Sequence, residues 1–117
     1  MDNKNRLHNC SNPYQGNAKK VLCVCSAGLL RSPTAAWVLS NEPYNYNTRS
    51  CGVDIGHALI PIDEVLIKWA DELVCMDSKQ ALILTQMTTK PIKCLNINDC
   101  YDRMDIELIR LIKEEYK

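Results

Sequence analysis

This sequence of 117 residues contains no phenylalanine, and aromatic residues of any kind make up only 6% of it. A hydrophobic core must therefore be built from aliphatic side chains together with the two tryptophans, Trp37 and Trp69. The length predicts a single domain that is large enough to bury one such core.

Excess charge and long apolar runs are also missing. The 14 basic and 14 acidic residues cancel to a formal net charge of +0, and no basic patch stands out, which makes nucleic acid a poor candidate partner. No apolar run reaches the ~18 residues that a membrane-spanning helix needs, and the polar N-terminus lacks the apolar segment of a signal peptide. We therefore expect a soluble, cytoplasmic protein that does not associate with membranes.

Cysteine is plentiful, but zinc-site spacing is absent. The seven cysteines are odd in number and spread along the chain, and they form no Cys-x2-Cys pair or Cys/His cluster. Reduced thiols in a reducing compartment are the simplest account. We predict no metal site and no other cofactor.

The first 19 residues differ in composition from the rest of the chain. Residues 1–19 are polar and rich in asparagine, which predicts a loosely ordered extension. Residues 20–117 are predicted to form the folded domain.

A strand, a small-residue loop and a helix follow one another over residues 20–36. Residues 21–25 are an apolar run typical of a buried parallel strand. Ser26 to Leu30 form a short loop, Ser32 is a candidate helix N-cap, and Pro33 suits a first helical turn. This order directs backbone N–H groups and the positive end of a helix dipole at an anion.

The residue types at this loop suit phosphoryl chemistry. Cys25 would be the nucleophile, since surrounding N–H donors favour its thiolate form, and Arg31 can hold two phosphoryl oxygens in a bidentate fork. Ser32 can donate a hydrogen bond to the sulfur, and Gly28 can adopt a positive φ so that N–H groups converge. The predicted phosphate-binding residues are Ser26, Ala27, Gly28, Leu29, Leu30, Arg31 and Ser32. A turn of this kind also occurs as packing alone, but an arginine at a helix N-terminus opposes the dipole and favours an anion site.

The span Cys25-x5-Arg31-Ser32, with a strand before it and Pro33 after it, resembles the phosphate loop of the low-molecular-weight protein tyrosine phosphatases. Three later stretches, residues 49–52, 69–76 and 98–105, resemble a short bacterial and phage-type branch of that family. The resemblance covers about residues 20–117 and implies a phosphomonoester hydrolase that works through a cysteinyl-phosphate intermediate. Its expected substrates are a phosphotyrosine protein or a small aryl phosphate.

The resemblance also implies a general acid. Asp99-x-Tyr101 matches the family's acid followed closely by tyrosine, so Asp99 would protonate the leaving group and later activate water. Tyr101 would form an aromatic wall of the substrate pocket. Asp102 and Asp105 are rival acids, although Asp105 is better explained as a helix N-cap. Asp99 could also be an ordinary turn residue after Asn98.

The sequence departs from the family at several positions. It has Gly28 where the larger family carries asparagine, Leu30 where a second cysteine is usual, and Cys100 where proline usually follows the acid. The loop between Cys51 and Ile62 is short. A shallower, less selective pocket is the hypothesis that follows.

The remaining elements predict an α/β fold in one domain. Strands are expected at residues 46–51, 72–76 and 91–97. Helices are expected at about 62–69, after a cap at Asp77 or Ser78, and from about 104 to the end. Alternation of this kind implies a parallel sheet with helices on both faces. The family resemblance implies four strands in the order 2-1-3-4, with the phosphate loop after strand 1 at the carboxyl ends of the strands.

Two other functions also fit the sequence. One is a thiol-dependent arsenate reductase on the same fold, which would need two further cysteines, with Cys94 and Cys100 available. The other is a non-catalytic phosphate- or phosphopeptide-binding module. The oligomeric state stays unknown.

Overall fold

The computed structural model describes residues 18–26, 31–54, 56, 58, 60–98 and 100–116. The elements are β1 (Lys20–Cys25), α1 (Arg31–Ser40), β2 (Asn47–Gly52), α2 (Glu64–Trp69), β3 (Glu72–Cys75), α3 (Ser78–Met87), β4 (Ile92–Cys94) and α4 (Ile106–Glu115). The four strands are parallel and form one sheet in the order β2-β1-β3-β4. The predicted fold class and strand order are confirmed.

Strand β1 lies in the centre of the sheet because its sequence is apolar on both sides. After the exposed Lys20, every residue of the strand is buried, as expected of a strand that is covered by helices on both faces. Its last residue, Cys25, is in register with Gly52 at the end of β2. The loop that follows therefore begins at the carboxyl edge of the sheet, where parallel α/β folds bind ligands.

The helices lie on both faces of the sheet, as predicted. Buried residues of α1 and α4 join one face in a first cluster, which includes Ala35, Leu39 and Leu108. Residues of α2 and α3, among them Leu66 and Leu84, join the opposite face in a second cluster.

The prediction that both tryptophans belong to the core is wrong. Trp37 is 43% exposed and is the one exposed residue of α1. Since α1 packs against both the sheet and α4, its small alanines fill the close contacts and the large indole occupies the remaining outer face. Trp69 is half-buried, with the guanidinium carbon of Arg49 at 3.9 Å from its ring centroid.

Aspartates cap three of the helices. The side chains of Asp63, Asp77 and Asp105 accept hydrogen bonds from backbone N–H groups of the first turns of α2, α3 and α4. The interpretation of Asp105 as a cap is therefore confirmed. Strand β4 is shorter than predicted because Asn96, at φ 57°, adopts the left-handed conformation just beyond it.

Tyrosines supply the aromatic part of the packing. Tyr116 packs with its ring near those of Tyr44 and Tyr46, and its hydroxyl donates to Glu72 Oε1 at 2.8 Å. Lys19 Nζ lies 3.2 Å from the same carboxylate oxygen. Burial, followed by the bond to Glu72, raises the pKa of Tyr116.

This shift predicts a loss of stability at alkaline pH. Because the folded state holds the Tyr116 proton more tightly, the contribution is fully present below the unfolded pKa of about 10 and is lost as pH rises above it. We expect wild type to be more stable than Tyr116→Phe by about 1 kcal/mol near neutral pH. Urea unfolding of both proteins at neutral pH and above about pH 10 checks this, since the difference should shrink at alkaline pH. A difference independent of pH would contradict it.

Within the part of the chain that the structure describes, no helix has the length and apolar character needed to cross a membrane.

Candidate active site

Cys25 lies where β1 ends, under the start of the predicted phosphate loop. The residue is 3% exposed, and its backbone carbonyl accepts a hydrogen bond from Val53 N at 2.9 Å. The last backbone position of β1 is thereby tied to the segment after β2. The thiol is held at the carboxyl edge of the sheet, as the sequence predicts.

Ser32 contacts the sulfur from the first turn of α1. Cys25 Sγ donates to Ser32 Oγ at 3.2 Å, and the Ser32 hydroxyl donates in turn to the carbonyl of Cys51 at 3.2 Å. The prediction that Ser32 is the helix N-cap is wrong, because α1 already begins at Arg31. Its fully buried hydroxyl is directed instead at the strand ends, where a buried polar group needs partners.

Arg31 is the first residue of α1 and is almost completely buried, at 3% exposure. Its NH1 atom donates to the carbonyl of Ile97 at 2.9 Å and lies 3.8 Å from Asp77 Oδ2. A buried guanidinium is costly without a counter-charge. Asp77 supplies one from the other side of the site, and together these contacts set the direction of the guanidinium.

Asp77 therefore has two roles, of which the sequence suggests only one. Its Oδ1 atom accepts from Gln80 N at 2.9 Å, so Asp77, rather than the other predicted candidate Ser78, caps α3. Its Oδ2 atom faces Arg31. No local pattern signals the second role, because Arg31 and Asp77 approach only when β1 and β3 pair.

Gln80 is a site residue that the sequence analysis missed. Although polar, it is only 1% exposed, and its Nε2 atom donates to Ser26 Oγ at 3.3 Å. The signal that could have found it is Asp77-x-x-Gln80, which resembles a capping box. Here the amide oxygen accepts from Met76 N at 2.7 Å instead.

No protein-family model matches the sequence, and no curated protein matches it either. Among solved structures, a YwlE mutant from Bacillus subtilis matches with a TM-score of 0.58 at 19% identity, over 83% of this chain and 90% of that chain. The YwlE arginine phosphatase from Geobacillus stearothermophilus matches with a TM-score of 0.58 at 21% identity, over 83% and 84% of the two chains.

The chain shares the fold of these two YwlE structures. Likeness at this level of identity shows the fold alone, and it agrees with the strand order and the helix arrangement described above. In this fold, Cys25 is the last residue of β1 and Arg31 is the first residue of α1.

Several predicted site residues lie outside the described residues. They are Ala27, Gly28, Leu29 and Leu30 of the loop, and the candidate acid Asp99. Their assignments stay predictions.

Tyr101 and the rival acids are described. Tyr101 is partly buried and packs against the cluster that contains Cys25 and α1. Desolvation, followed by the proximity of Cys100, raises its pKa. Asp102 is exposed, and Asp105 is committed to the N-terminus of α4 through Glu107 N at 2.8 Å.

Cys94 and Cys100, the cysteines of the arsenate-reductase alternative, lie in different surroundings. Cys94 is in register with Cys75 on the neighbouring strand, while Cys100 is exposed. Burial, followed by the proximity of Cys94, raises the pKa of Cys75 to about 12. Cys94 thus neighbours the thiol of Cys75, whereas the arsenate-reductase alternative offers it together with Cys100.

The described residues contain no group of three or more histidine, cysteine or acidic side chains that could hold a metal ion.

Proposed function

We propose that this chain is a cysteine-dependent phosphatase of the protein tyrosine phosphatase type, which hydrolyses phosphomonoesters through a cysteinyl-phosphate intermediate. The observation that carries the proposal is the pair Cys25 and Arg31. Both are 3% exposed, and both are held by hydrogen bonds at the two ends of one loop. A buried thiol and a buried guanidinium beside one loop can supply a nucleophile and a positive charge for an oxyanion.

In the first step the Cys25 thiolate attacks phosphorus. A sulfur–phosphorus bond forms while the bond from phosphorus to the ester oxygen breaks, and that oxygen takes a proton from the general acid. The Arg31 fork and the loop N–H groups stabilise the charge on the equatorial oxygens. Water then attacks the phosphorus of the phosphocysteine and gives a proton to the carboxylate that the first step left. The sulfur–phosphorus bond breaks, which releases inorganic phosphate and the Cys25 thiolate.

Ser32 is positioned to stabilise the sulfur when it carries charge. In the thiol form, its hydroxyl accepts from Cys25 Sγ and donates to the Cys51 carbonyl. After the thiol loses its proton, rotation of the hydroxyl hydrogen toward the sulfur would supply a charge-assisted bond over the same 3.2 Å.

Asp99 is the proposed acid and base. The carbonyl of Ile97, three residues beyond β4, accepts a hydrogen bond from Arg31 at 2.9 Å. Asp99 follows Ile97 by two residues in the sequence, and this supports its assignment as the acid. Asp105 already caps α4, which supports Asp99 over this rival. Tyr101, nearby in the same segment, is proposed as a wall of the substrate pocket.

The proposed substrates are phosphotyrosine proteins or small aryl phosphates, and the proposed compartment is the cytoplasm. A thiolate nucleophile must stay reduced in order to react, and the cytosol maintains that state.

The test is hydrolysis of p-nitrophenyl phosphate and phenyl phosphate in EDTA with reductant. We expect wild type to turn over both esters, since a thiolate and a guanidinium supply the nucleophile and the positive charge. Asp99→Asn should lower kcat by about 100-fold or more on phenyl phosphate and by less on p-nitrophenyl phosphate, whose better leaving group needs less protonation.

Asp102→Asn is the matched control, because it changes an exposed neighbouring carboxylate in the same segment. If Asp102→Asn is slowed and Asp99→Asn is not, the acid is misassigned. If the folded, reduced wild type is inactive on both esters, the proposed function is wrong.

Phosphoarginine is the second candidate substrate, favoured by the fold likeness to the YwlE arginine phosphatase from Geobacillus stearothermophilus. Its phosphorus–nitrogen bond also requires protonation of the leaving group, so the same residues would serve. Parallel kcat/KM measurements on phosphotyrosine and phosphoarginine peptides decide between the two substrates. A higher kcat/KM for phosphoarginine would replace the tyrosine assignment.

A further inference from the structure

The first turn of α3 contacts the phosphate loop at both of its ends. Asp77 Oδ2 lies 3.8 Å from Arg31 NH1, and Gln80 Nε2 donates to Ser26 Oγ at 3.3 Å. Ser26 directly follows the cysteine and Arg31 closes the loop. The start of α3, which follows the neighbouring strand β3, therefore contacts both ends of the loop.

The Gln80 amide has little freedom to turn. It is 1% exposed, and its Oε1 atom accepts from Met76 N at 2.7 Å. Because a backbone N–H can only donate, the amide oxygen must face Met76 and the NH2 group must face Ser26. Rotating the amide would leave buried polar atoms without partners, at a substantial cost in free energy.

Ser26 is also held from the side opposite to Gln80. Its backbone carbonyl accepts from Asp54 N at 2.8 Å, and the preceding carbonyl of Cys25 accepts from Val53 N at 2.9 Å. The segment after β2 thus fixes the backbone of Ser26, while Gln80 fixes its side chain. Contacts from two segments therefore hold the chain at Ser26, where it leaves β1.

We propose that Gln80 is a positioning residue of the phosphate loop. By holding Ser26, it sets the position from which the loop N–H groups converge on a bound oxyanion. Donors that are in place before binding need no reordering when the anion arrives, and errors of a few tenths of an ångström weaken them. Its effect on turnover rests on the proposed phosphatase function, whereas its effect on oxyanion binding does not.

The test compares Gln80→Met, Ser26→Ala and the double variant with wild type. Tungstate, a tetrahedral oxyanion, is the probe, and its Kd is measured by calorimetry beside kcat/KM for p-nitrophenyl phosphate. We expect each single variant to weaken tungstate binding and to lower kcat/KM by about threefold to tenfold. Ser26→Ala should have little further effect in the Gln80→Met background, because both changes remove the same contact.

Gln86→Met is the matched control, since it makes the same replacement on the exposed side of the same helix. It should leave tungstate binding and activity unchanged. A Gln80→Met protein with a lower Tm but wild-type tungstate Kd and kcat/KM would overturn the proposal, because Gln80 would then only stabilise α3.

Ser26→Ala keeps the bond between Gln80 and Met76, so it decides the question if Gln80→Met does not fold. Unchanged tungstate binding by Ser26→Ala would then overturn the proposal. If wild type binds tungstate but hydrolyses no ester, the phosphatase function fails, and the Kd comparison still decides the role of Gln80.

Discussion

Replacement of Cys25 by serine is expected to lower p-nitrophenyl phosphate hydrolysis by at least about 1,000-fold, while the folded structure is kept. An alcohol is far less ionised than a thiol near neutral pH, so the variant lacks an anionic nucleophile. Serine also fits the site sterically, and its hydroxyl can keep the bond to Ser32 that the thiol makes at 3.2 Å. The loss should therefore appear in kcat, with tungstate binding retained.

Cys100→Ser is the control for this experiment. It makes the same chemical change at an exposed thiol, and we expect phosphatase activity to be unaffected. If Cys25→Ser retains activity, the cysteinyl-phosphate mechanism is wrong. If instead wild type reduces arsenate with thioredoxin, and Cys100→Ser abolishes that activity, the reductase alternative is supported.

The second large effect is expected from Arg31→Lys. Lysine keeps the positive charge but cannot present two parallel N–H donors to a phosphoryl group. It also lacks the planar geometry that lets NH1 bond to the Ile97 carbonyl while facing Asp77. We expect kcat/KM to fall by about 100- to 1,000-fold, as for the loss of one preorganised oxyanion donor.

Steady-state kinetics and the tungstate Kd together check the Arg31 prediction. The matched control is Arg110→Lys, because Arg110 is exposed and paired on the surface of α4 with Glu107 and Glu114. Its replacement should leave kcat and KM unchanged. An Arg31→Lys enzyme within about threefold of wild type would show that the guanidinium is structural and holds Asp77 and Ile97 only.

The elements of the fold could largely be predicted because their signals are local. The β1 sequence is apolar at every position from Val21 to Cys25, and Asp63, Asp77 and Asp105 lie at helix starts as N-caps should. Predictions that depended on what a face packs against were weaker. The absence of phenylalanine predicts Trp37 in the core, whereas the close approach of α1 to the sheet and α4 leaves it 43% exposed.

The sequence alone located the thiol and the guanidinium of the candidate site. A cysteine ends an apolar strand, and an arginine six residues later begins a helix. This order alone brings a thiol and a guanidinium to one loop, because local sequence signals place the strand end and the helix start. Capping and strand propensity act over a few residues, so these positions can be found without knowing the fold.

Only the tertiary structure decided what holds that pair in place. The carbonyl of Ile97 contacts the loop from the segment after β4, and the side chains of Asp77 and Gln80 contact it from the start of α3. They are far from it in sequence, and they meet it because parallel pairing brings the carboxyl ends of β1, β3 and β4 to one edge of the sheet. No local pattern encodes such contacts, since their energy depends on the register and order of strands that pair only when the chain folds.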